Sequence, residues 1–215
     1  MSKILNIALF GATGMIGSRI AAEAARRGHQ VTALARDPKR VPADVANLTA
    51  VKADLLDAAS VAAAVRGHDV VASAYAPPQD DAAIVVKATH SLVEGVRAAG
   101  LKRLVVVGGA GSLEVAPGKQ LVDTEGFPEI YKPVALAHRD ALTFYRTQND
   151  LDWTFFAPAA MIAPGERTGV FRTGADTLLA DASGNSRISA EDYAVAFVDE
   201  LEQGRFIHKA ATVAY

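Results

Sequence analysis

The sequence has no cysteine among its 215 residues. This absence excludes disulfides, thiol catalysis, thiolate metal sites and iron–sulfur clusters. An excess of one charge is also missing, since 22 Lys and Arg face 24 Asp and Glu and the formal net charge is −2. Without a basic field, nucleic acids and anionic membranes are poor candidates for partners. The five histidines are scattered without the spacing of metal ligands, so we predict no metal site.

Long hydrophobic runs are missing as well. The first apolar run, residues 4–10, is too short for a signal peptide, and no segment approaches the roughly 20 apolar residues that cross a bilayer. We therefore expect a cytoplasmic protein whose first strand has no leader domain before it. Half of the residues are hydrophobic and 21% are charged, which is typical of globular chains. The length predicts a single domain over residues 1–215.

Short β-branched runs alternate with Ala-rich segments of helical spacing along most of the chain. Such alternation implies an α/β fold of the doubly wound Rossmann type, a mostly parallel sheet with helices on both faces. Beyond Pro158 the pattern weakens, and we expect a small C-terminal extension on the substrate side there. The predicted strands are 4–10, 30–36, 48–52, 69–75, 103–107, 152–156 and 210–214, with short candidates at 169–172, 177–180 and 187–188, and the predicted helices are 15–27, 58–66, 80–99, 133–148 and 190–203.

A glycine-rich loop lies between the first predicted strand and the first predicted helix. Glycines permit a tight turn and let the backbone approach a pyrophosphate, while free amides and the helix dipole hold the anion. The alternative is a turn that needs glycine only for its own geometry. The position at the start of a strand–helix alternation favours dinucleotide binding. The loop residues predicted to bind the cofactor are Gly11, Thr13, Gly14, Met15, Ile16 and Gly17.

An arginine ends the second predicted strand. Arg36 lies about 20 residues after the glycine loop, where an acid would bind the ribose hydroxyls of NAD. A guanidinium can bind a phosphate through two hydrogen bonds, so Arg36 favours NADP, with Lys39 and Arg40 adding charge. Asp37 stands next to it and keeps NAD possible. The alternative is a solvated arginine, with Asp37 capping the next helix.

These motifs resemble those of the atypical short-chain dehydrogenase/reductases. The resemblance is carried by the glycine loop, by Ala35-Arg36-Asp37-Pro38 and by Asp54-Leu55. The segments 108–113, Gly-Gly-Ala-Gly-Ser-Leu, and 152–159 fit one branch, the NADH-flavin reductase or NAD(P)H-binding group. That branch is similar to biliverdin-IXβ/flavin reductases and to NmrA-like proteins, and the resemblance covers nearly the whole chain.

The resemblance implies which further residues surround a bound cofactor. Two of them would lie beside the adenine, three would flank a ribose, and residues 108–112 and 157–161 would enclose the nicotinamide and its carboxamide. The positions so implied are Asp54 and Leu55, then Ala74, Tyr75 and Ala76, then Gly108 and Gly109, and last Pro158 and Ala159.

The tyrosine–lysine pair that is typical of short-chain dehydrogenases is missing. In that family a lysine four residues after a tyrosine lowers the pKa of the phenol, which then passes a proton to the substrate. No tyrosine of this chain has a lysine at that spacing. A flavin needs no such pair, because hydride can pass from the nicotinamide C4 to the flavin N5 while solvent supplies protons. We therefore favour an NADPH-dependent reductase of a flavin, quinone or similar flat acceptor.

Three residues are candidates for a catalytic role. Ser112 follows the fifth predicted strand, where the family places a hydroxyl that faces the substrate, although a plain turn residue would also fit. Tyr131 and Lys132 precede a helix and could enter the site from a loop, or they could be a half-exposed pair at a helix start. His138 is predicted not to act as a base, because a lone helical histidine is usually solvated or satisfied in the core. The segments 109–132 and 158–176 are expected to shape the substrate pocket.

Two other functions use the same glycine loop. One is a non-catalytic NAD(P)-binding redox sensor of the NmrA-like kind. The other is a sugar-nucleotide epimerase or dehydratase, which we rank last because it usually needs the tyrosine–lysine pair and a larger C-terminal region. For the assembly we expect a monomer or a homodimer.

Overall fold

The structure, a computed structural model, describes residues 3–42, 45–78 and 80–215. Its strands and helices follow one another in regular alternation up to residue 157. The strands are β1 Asn6–Phe10, β2 Gln30–Ala35, β3 Leu48–Lys52, β4 Val70–Ser73, β5 Arg103–Val107, β6 Glu114–Ala116, β7 Lys119–Gln120, β8 Asp152–Ala157, β9 Met161–Ala163, β10 Arg172–Ala175, β11 Arg187–Ser189 and β12 Lys209–Ala214, and the helices are α1 Met15–Arg26, α2 Ala58–Val65, α3 Ile84–Ala98, α4 Lys132–Tyr145 and α5 Ala190–Gln203.

An eight-stranded sheet forms the centre of the molecule, in the order β10-β12-β8-β5-β4-β1-β2-β3. Neighbouring strands are parallel, except that β10 runs antiparallel to β12. The chain leaves β1 toward β2 and β3 and then crosses back to place β4 on the other side of β1. That reversal of strand order leaves a crevice at the carboxyl ends of β1 and β4, where doubly wound folds bind ligands.

The inner strands are mostly apolar because helices cover both faces of the sheet. Leu104 and Val105, successive residues of β5, point to opposite faces and are both fully buried. Helices α1 and α5 pack together on one face, where Ile20 and Phe197 contribute to the core. Helices α2, α3 and α4 cover the other face. The predicted mostly parallel Rossmann-type fold is confirmed.

The C-terminal part departs most from the sequence-based elements. The strand predicted at 169–172 lies instead at Arg172–Ala175, and the hairpin of β6 with β7 and the strand β9 were not predicted. The prediction of a strand at 177–180 is wrong. Asp176 adopts a left-handed conformation with φ of 62° and turns the chain away after β10, so that only an isolated bridge from Thr177 to Glu114 remains.

The helix predicted at 80–99 begins later, at Ile84. The amide of Asp81 donates to the carbonyl of Pro78, and the amide of Ile84 donates to Asp81, so the chain makes turns before the helix starts. Within the described ranges, no helix is both long and apolar enough to cross a membrane.

Candidate cofactor site

The glycine loop joins β1 directly to α1. Gly11 turns the chain with φ of +81°, a conformation that favours glycine, and the amide of Gly14 donates to the carbonyl of Gly11 over 3.1 Å. Gly14 is the N-cap of α1, no side chain caps the helix, and its first turn carries no acidic residue. The first amides of α1 are therefore left for an anionic ligand at the positive end of the helix dipole.

Backbone segments around this loop approach each other too closely for any side chain. A Cβ atom on Gly17 would lie 2.1 Å from the carbonyl oxygen of Gly11. A Cβ atom on Gly11 would lie 2.4 Å from the carbonyl oxygen of Ala74, which follows β4. These contacts bring α1, the loop and the end of β4 together, so the two glycines are required by packing as well as by the turn.

A cavity of about 560 Å³ opens at the carboxyl ends of β1, β2, β3 and β4. It runs from the glycine loop past the ends of β2 and β3, which is the extent that half of a dinucleotide needs. Residues that the sequence predicted and that line it are Gly11, Thr13, Gly14, Arg36, Asp54, Leu55, Ala74, Tyr75 and Ala76. Arg40 and Asp37, which the sequence placed beside Arg36, also line it, and the lining residues that were not predicted are Phe10, Leu34, Ala35, Ala53 and Leu56.

Two acids at the far end of this cavity have local partners. The carboxylate of Asp37 accepts a hydrogen bond from the amide of Lys39 at 3.2 Å and caps the short helical turn Pro38–Arg40. The carboxylate of Asp54 accepts from the amide of Leu56 at 2.9 Å. Arg36 and Arg40 line the same end of the cavity and are exposed. Two guanidinium groups and two carboxylates therefore lie at this end of the cavity.

The other predicted cofactor residues lie outside the lining of this cavity. Met15 and Ile16 begin α1, and Met15 is exposed. Gly108 and Gly109 follow β5, and the amide of Gly108 donates to the carbonyl of Phe156 at 2.8 Å. The buried residues at 158 and 159 follow β8. Since β5 and β8 lie beyond β4, these positions belong to the opposite side of the crevice from Arg36.

The three catalytic candidates lie in different environments. Ser112 is 2% exposed, and its hydroxyl has no hydrogen-bond partner among the described residues. Tyr131 is 59% exposed, and Lys132 pairs with Glu129 just before it in the chain. The structure does not bring the three side chains together around the cavity, and their catalytic roles stay predictions.

Two further side chains near the crevice have shifted pKa values. Burial raises the pKa of Tyr75, so this phenol keeps its proton at neutral pH. Burial lowers the pKa of His138 from 6.5 to about 4. His138 lies on the buried side of α4, one turn from Ala135 and Leu142, and this spacing is the signal that would have placed it inside. Among the described residues no His, Asp and Glu cluster could hold a metal ion.

Residues 11–203 match the model of a family described as NAD(P)H-binding. The chain belongs to this family. The open amides of α1, the glycine contacts and the cavity beside them fit a nicotinamide dinucleotide, so the geometry agrees with the family. The resemblance to atypical short-chain dehydrogenase/reductases is confirmed at this level.

Solved structures of similar proteins cover almost the whole chain. A "putative exported protein" from Burkholderia pseudomallei is 70% identical, with a TM-score of 0.92 over 99% of this chain and 100% of that one. A "putative epimerase" from Bacteroides thetaiotaomicron is 40% identical, with a TM-score of 0.92 over 99% and 98%. A "putative NADH-flavin reductase" from Streptococcus pneumoniae TIGR4 is 35% identical, with a TM-score of 0.88 over 98% and 99%. Together with the family, these similarities support an oxidoreductase that uses a nicotinamide cofactor.

Proposed function

We propose that the protein is a reductase that transfers hydride from NADPH to a flavin, a quinone or a similar flat acceptor. The observation that carries the proposal is the glycine loop with an uncapped α1 beside a cavity of about 560 Å³, in a chain without the tyrosine–lysine pair. The NADH-flavin reductase name of the pneumococcal relative adds support from similarity.

In this proposal the residues of the chain bind the cofactor and orient it toward the acceptor. The amides at the start of α1 hold the pyrophosphate, and the cations at the end of β2 hold the adenine side. The reduced nicotinamide supplies a hydride when it is bound. The segments after β5 and β8 border the place where a flat acceptor would stack, and exclusion of water there favours transfer by proximity and orientation.

We propose NADP rather than NAD as the preferred cofactor. Arg36 and Arg40 line the same end of the cavity, and the nearby carboxylate of Asp37 is engaged by the amide of Lys39. A phosphate placed there could accept hydrogen bonds from two guanidinium groups, which favours the 2′-phosphate of NADP.

The test of the reductase is direct. Purified protein is mixed with NADPH or NADH and with FMN, FAD, riboflavin or a series of quinones, while the absorbance of the reduced nicotinamide is followed. We expect oxidation above the buffer control with at least one flavin or quinone, and faster oxidation of NADPH than of NADH. No oxidation across this panel would contradict the proposal.

A redox sensor is the second candidate, and the environments of the catalytic candidates favour it. Ser112 is buried, Tyr131 is exposed and Lys132 is paired, so no proton donor is assembled from these three residues. A sensor would bind NAD(P)H tightly without turnover, and it would capture a protein partner only in one cofactor state. Equal capture with and without cofactor would argue against it.

An epimerase or dehydratase is ranked last. The name of the Bacteroides relative points to it, but the tyrosine–lysine pair that such enzymes usually need is missing from this sequence. For the setting, we propose the cytoplasm, where reduced nicotinamide nucleotides are available, and a monomer or homodimer. Cell fractionation and sedimentation velocity test these two points.

A further inference from the structure

A histidine lies at the side of the crevice that the large cavity does not reach. His138 belongs to α4, and its side chain packs on the backbone just after β5. A Cβ atom on Gly109 would lie 3.0 Å from the Cβ of His138 and 3.1 Å from its Cγ. The ring also meets Phe155 of β8 edge-on, with ring centroids 6.1 Å apart. The histidine is therefore fixed at the carboxyl ends of β5 and β8.

A second cavity of about 30 Å³ opens beside this ring. Its volume is about that of one water molecule. Ser73, Thr89 and Tyr145 line it together with His138, and Tyr75 and Leu55 line both this cavity and the larger one. Tyr75 thus stands between the glycine-loop side of the crevice and the histidine.

Two polar groups beside this small cavity differ in their hydrogen bonding. The hydroxyl of Ser73 accepts from the amide of Tyr75 over 3.4 Å. Within the part of the chain that the structure describes, no hydrogen bond reaches the ring of His138. The ring is enclosed by protein on most sides, but part of its surface stays accessible. Leaving such a ring without a partner costs free energy, which a ligand could recover.

Burial lowers the pKa of His138, so the imidazole is neutral at pH 7. Tyr75 and Tyr145 are the titratable groups that share its cavity, and burial raises the pKa of both. None of the described lining residues carries a cation that would attract a phosphate. A neutral imidazole offers one donor and one acceptor, which is the set that a hydroxyl group matches. An uncharged group that both donates and accepts, such as a hydroxyl, therefore fits this site better than a phosphate does.

The order of the strands indicates which hydroxyl this is. A dinucleotide whose pyrophosphate lies at the loop after β1 extends in both directions along the sheet edge. Arg36 follows β2 and Asp54 follows β3, which places the adenine half on that side. The other half then extends over β4 and β5, and β5 lies about 10 Å from β1 at the usual spacing of neighbouring strands. His138 stands there.

We propose that His138 positions the nicotinamide half of the cofactor by hydrogen-bonding a hydroxyl of its ribose. This inference rests on cofactor binding and deepens the proposed function, but it does not require any particular acceptor. It is compatible with the prediction from the sequence that His138 does not act as a base.

The experiment compares ligands that do and do not contain the second ribose. Calorimetry measures the Kd of ADP, ADP-ribose and NADPH for the wild type, for His138→Phe, which keeps the ring packing, and for His138→Gln, which keeps a donor and an acceptor. We expect His138→Phe to weaken ADP-ribose and NADPH about tenfold and to leave ADP within about twofold, and His138→Gln to restore most of the loss. His90→Phe is the matched control, because His90 is exposed on α3 against Phe144, and it should change none of the three.

Two results would overturn the inference: unchanged binding of ADP-ribose to His138→Phe, or an equal loss for ADP. If His138→Phe does not fold, ¹⁵N NMR of histidine-labelled wild type decides. The signals of the His138 ring nitrogens, assigned with His138→Gln, should shift with ADP-ribose and not with ADP. Identical spectra with and without ADP-ribose would contradict the inference. Binding without turnover would remove the reductase proposal alone, so the two failures are distinguishable.

Discussion

Arg36 carries the cofactor preference at the scale of single residues. It is exposed at the end of the cavity, and Asp37 beside it is held by a backbone amide. We expect Arg36→Ala to weaken NADPH about tenfold and NADH less than twofold, since a charge-assisted hydrogen bond to phosphate contributes about 1.5–3 kcal/mol before solvent screening. Calorimetric Kd values check this. Lys102→Ala, an exposed cation before β5 at the other end of the strands, is the control, and similar losses for both cofactors would contradict the NADP preference.

His138 should leave a signature in the pH dependence of stability. Its pKa lies near 4 in the folded protein, below the ordinary value of 6.5. The unfolded chain then binds more protons below pH 6.5, so stability falls as the pH drops from about 6.5 to 4, by at most about 3 kcal/mol.

Urea unfolding at several pH values measures this effect. The free energy of unfolding of the wild type should fall more steeply over that window than that of His138→Phe, in which the titrating group is gone. Carboxylates titrate in both proteins and cancel in the difference. Parallel pH profiles would show that the ring of His138 is not held neutral by burial.

Some residues of the candidate site could be predicted from the sequence, and others could not. Gly11, Gly14 and Arg36 were found because a loop between a strand and a helix is local in the chain. His138 was set aside because its surroundings come from β5 and β8, which are distant in sequence. The burial of Ser112 was hidden for the same reason, since its neighbours come from other elements.

At the scale of secondary-structure elements, β1, the glycine loop and α1 form one unit around the proposed pyrophosphate site. Gly17 allows α1 to begin against the carbonyl of Gly11, where a Cβ atom would lie 2.1 Å from that oxygen. Gly17→Val should therefore displace the loop and weaken NADPH binding at least about a hundredfold, about 2.7 kcal/mol. Ala22→Val adds the same β-branched side chain on the exposed side of α1 and should leave the Kd unchanged. Calorimetry distinguishes the two, and wild-type affinity in Gly17→Val would contradict the loop geometry.

A carboxylate of α1 ties that helix to the segment after β9. Glu23 is 5% exposed and pairs with Arg26, Arg27 and Arg167. Burial raises its pKa, but the hydrogen bonds from Arg167, Arg26 and Arg27 outweigh burial and hold the pKa well below its ordinary range.

Removing that charge should destabilise the fold. We expect Glu23→Gln to lower the free energy of unfolding by about 2 kcal/mol, since the partners are partly solvated and a fully buried pair would cost about 3–5 kcal/mol. Glu94→Gln, on the exposed side of α3, is the control and should change stability by less than about 0.5 kcal/mol. Urea denaturation checks both, and equal stabilities would show that the cluster contributes little.

Elements were predictable where their pattern was regular. The inner strands and all five helices follow the alternation in the sequence, because helices on both faces require continuous apolar strands. The segment between Pro158 and β11 was predicted poorly, because its strands are short and its turns depend on particular residues, such as the left-handed Asp176. The ion pair of Glu23 with Arg167 joins residues that are far apart in the chain, so no local sequence pattern predicts it.

At the scale of the whole molecule, strand order determines where the site lies. The crossing from β3 back to β4 places the crevice beside β1, so the glycine loop, the cations after β2 and the glycines after β5 share one edge of the sheet. That arrangement belongs to the fold and the family. The identity of the acceptor depends instead on the segments after β5 and β8, because a fold alone does not determine which substrate is bound.

Binding of the cofactor is the central claim, and calorimetry of the purified full-length chain tests it most directly. Titration with NADPH, NADP⁺, NADH and NAD⁺ should give one site per chain, with the 2′-phosphorylated pair bound more tightly. Absence of heat with all four nucleotides at several temperatures would contradict it.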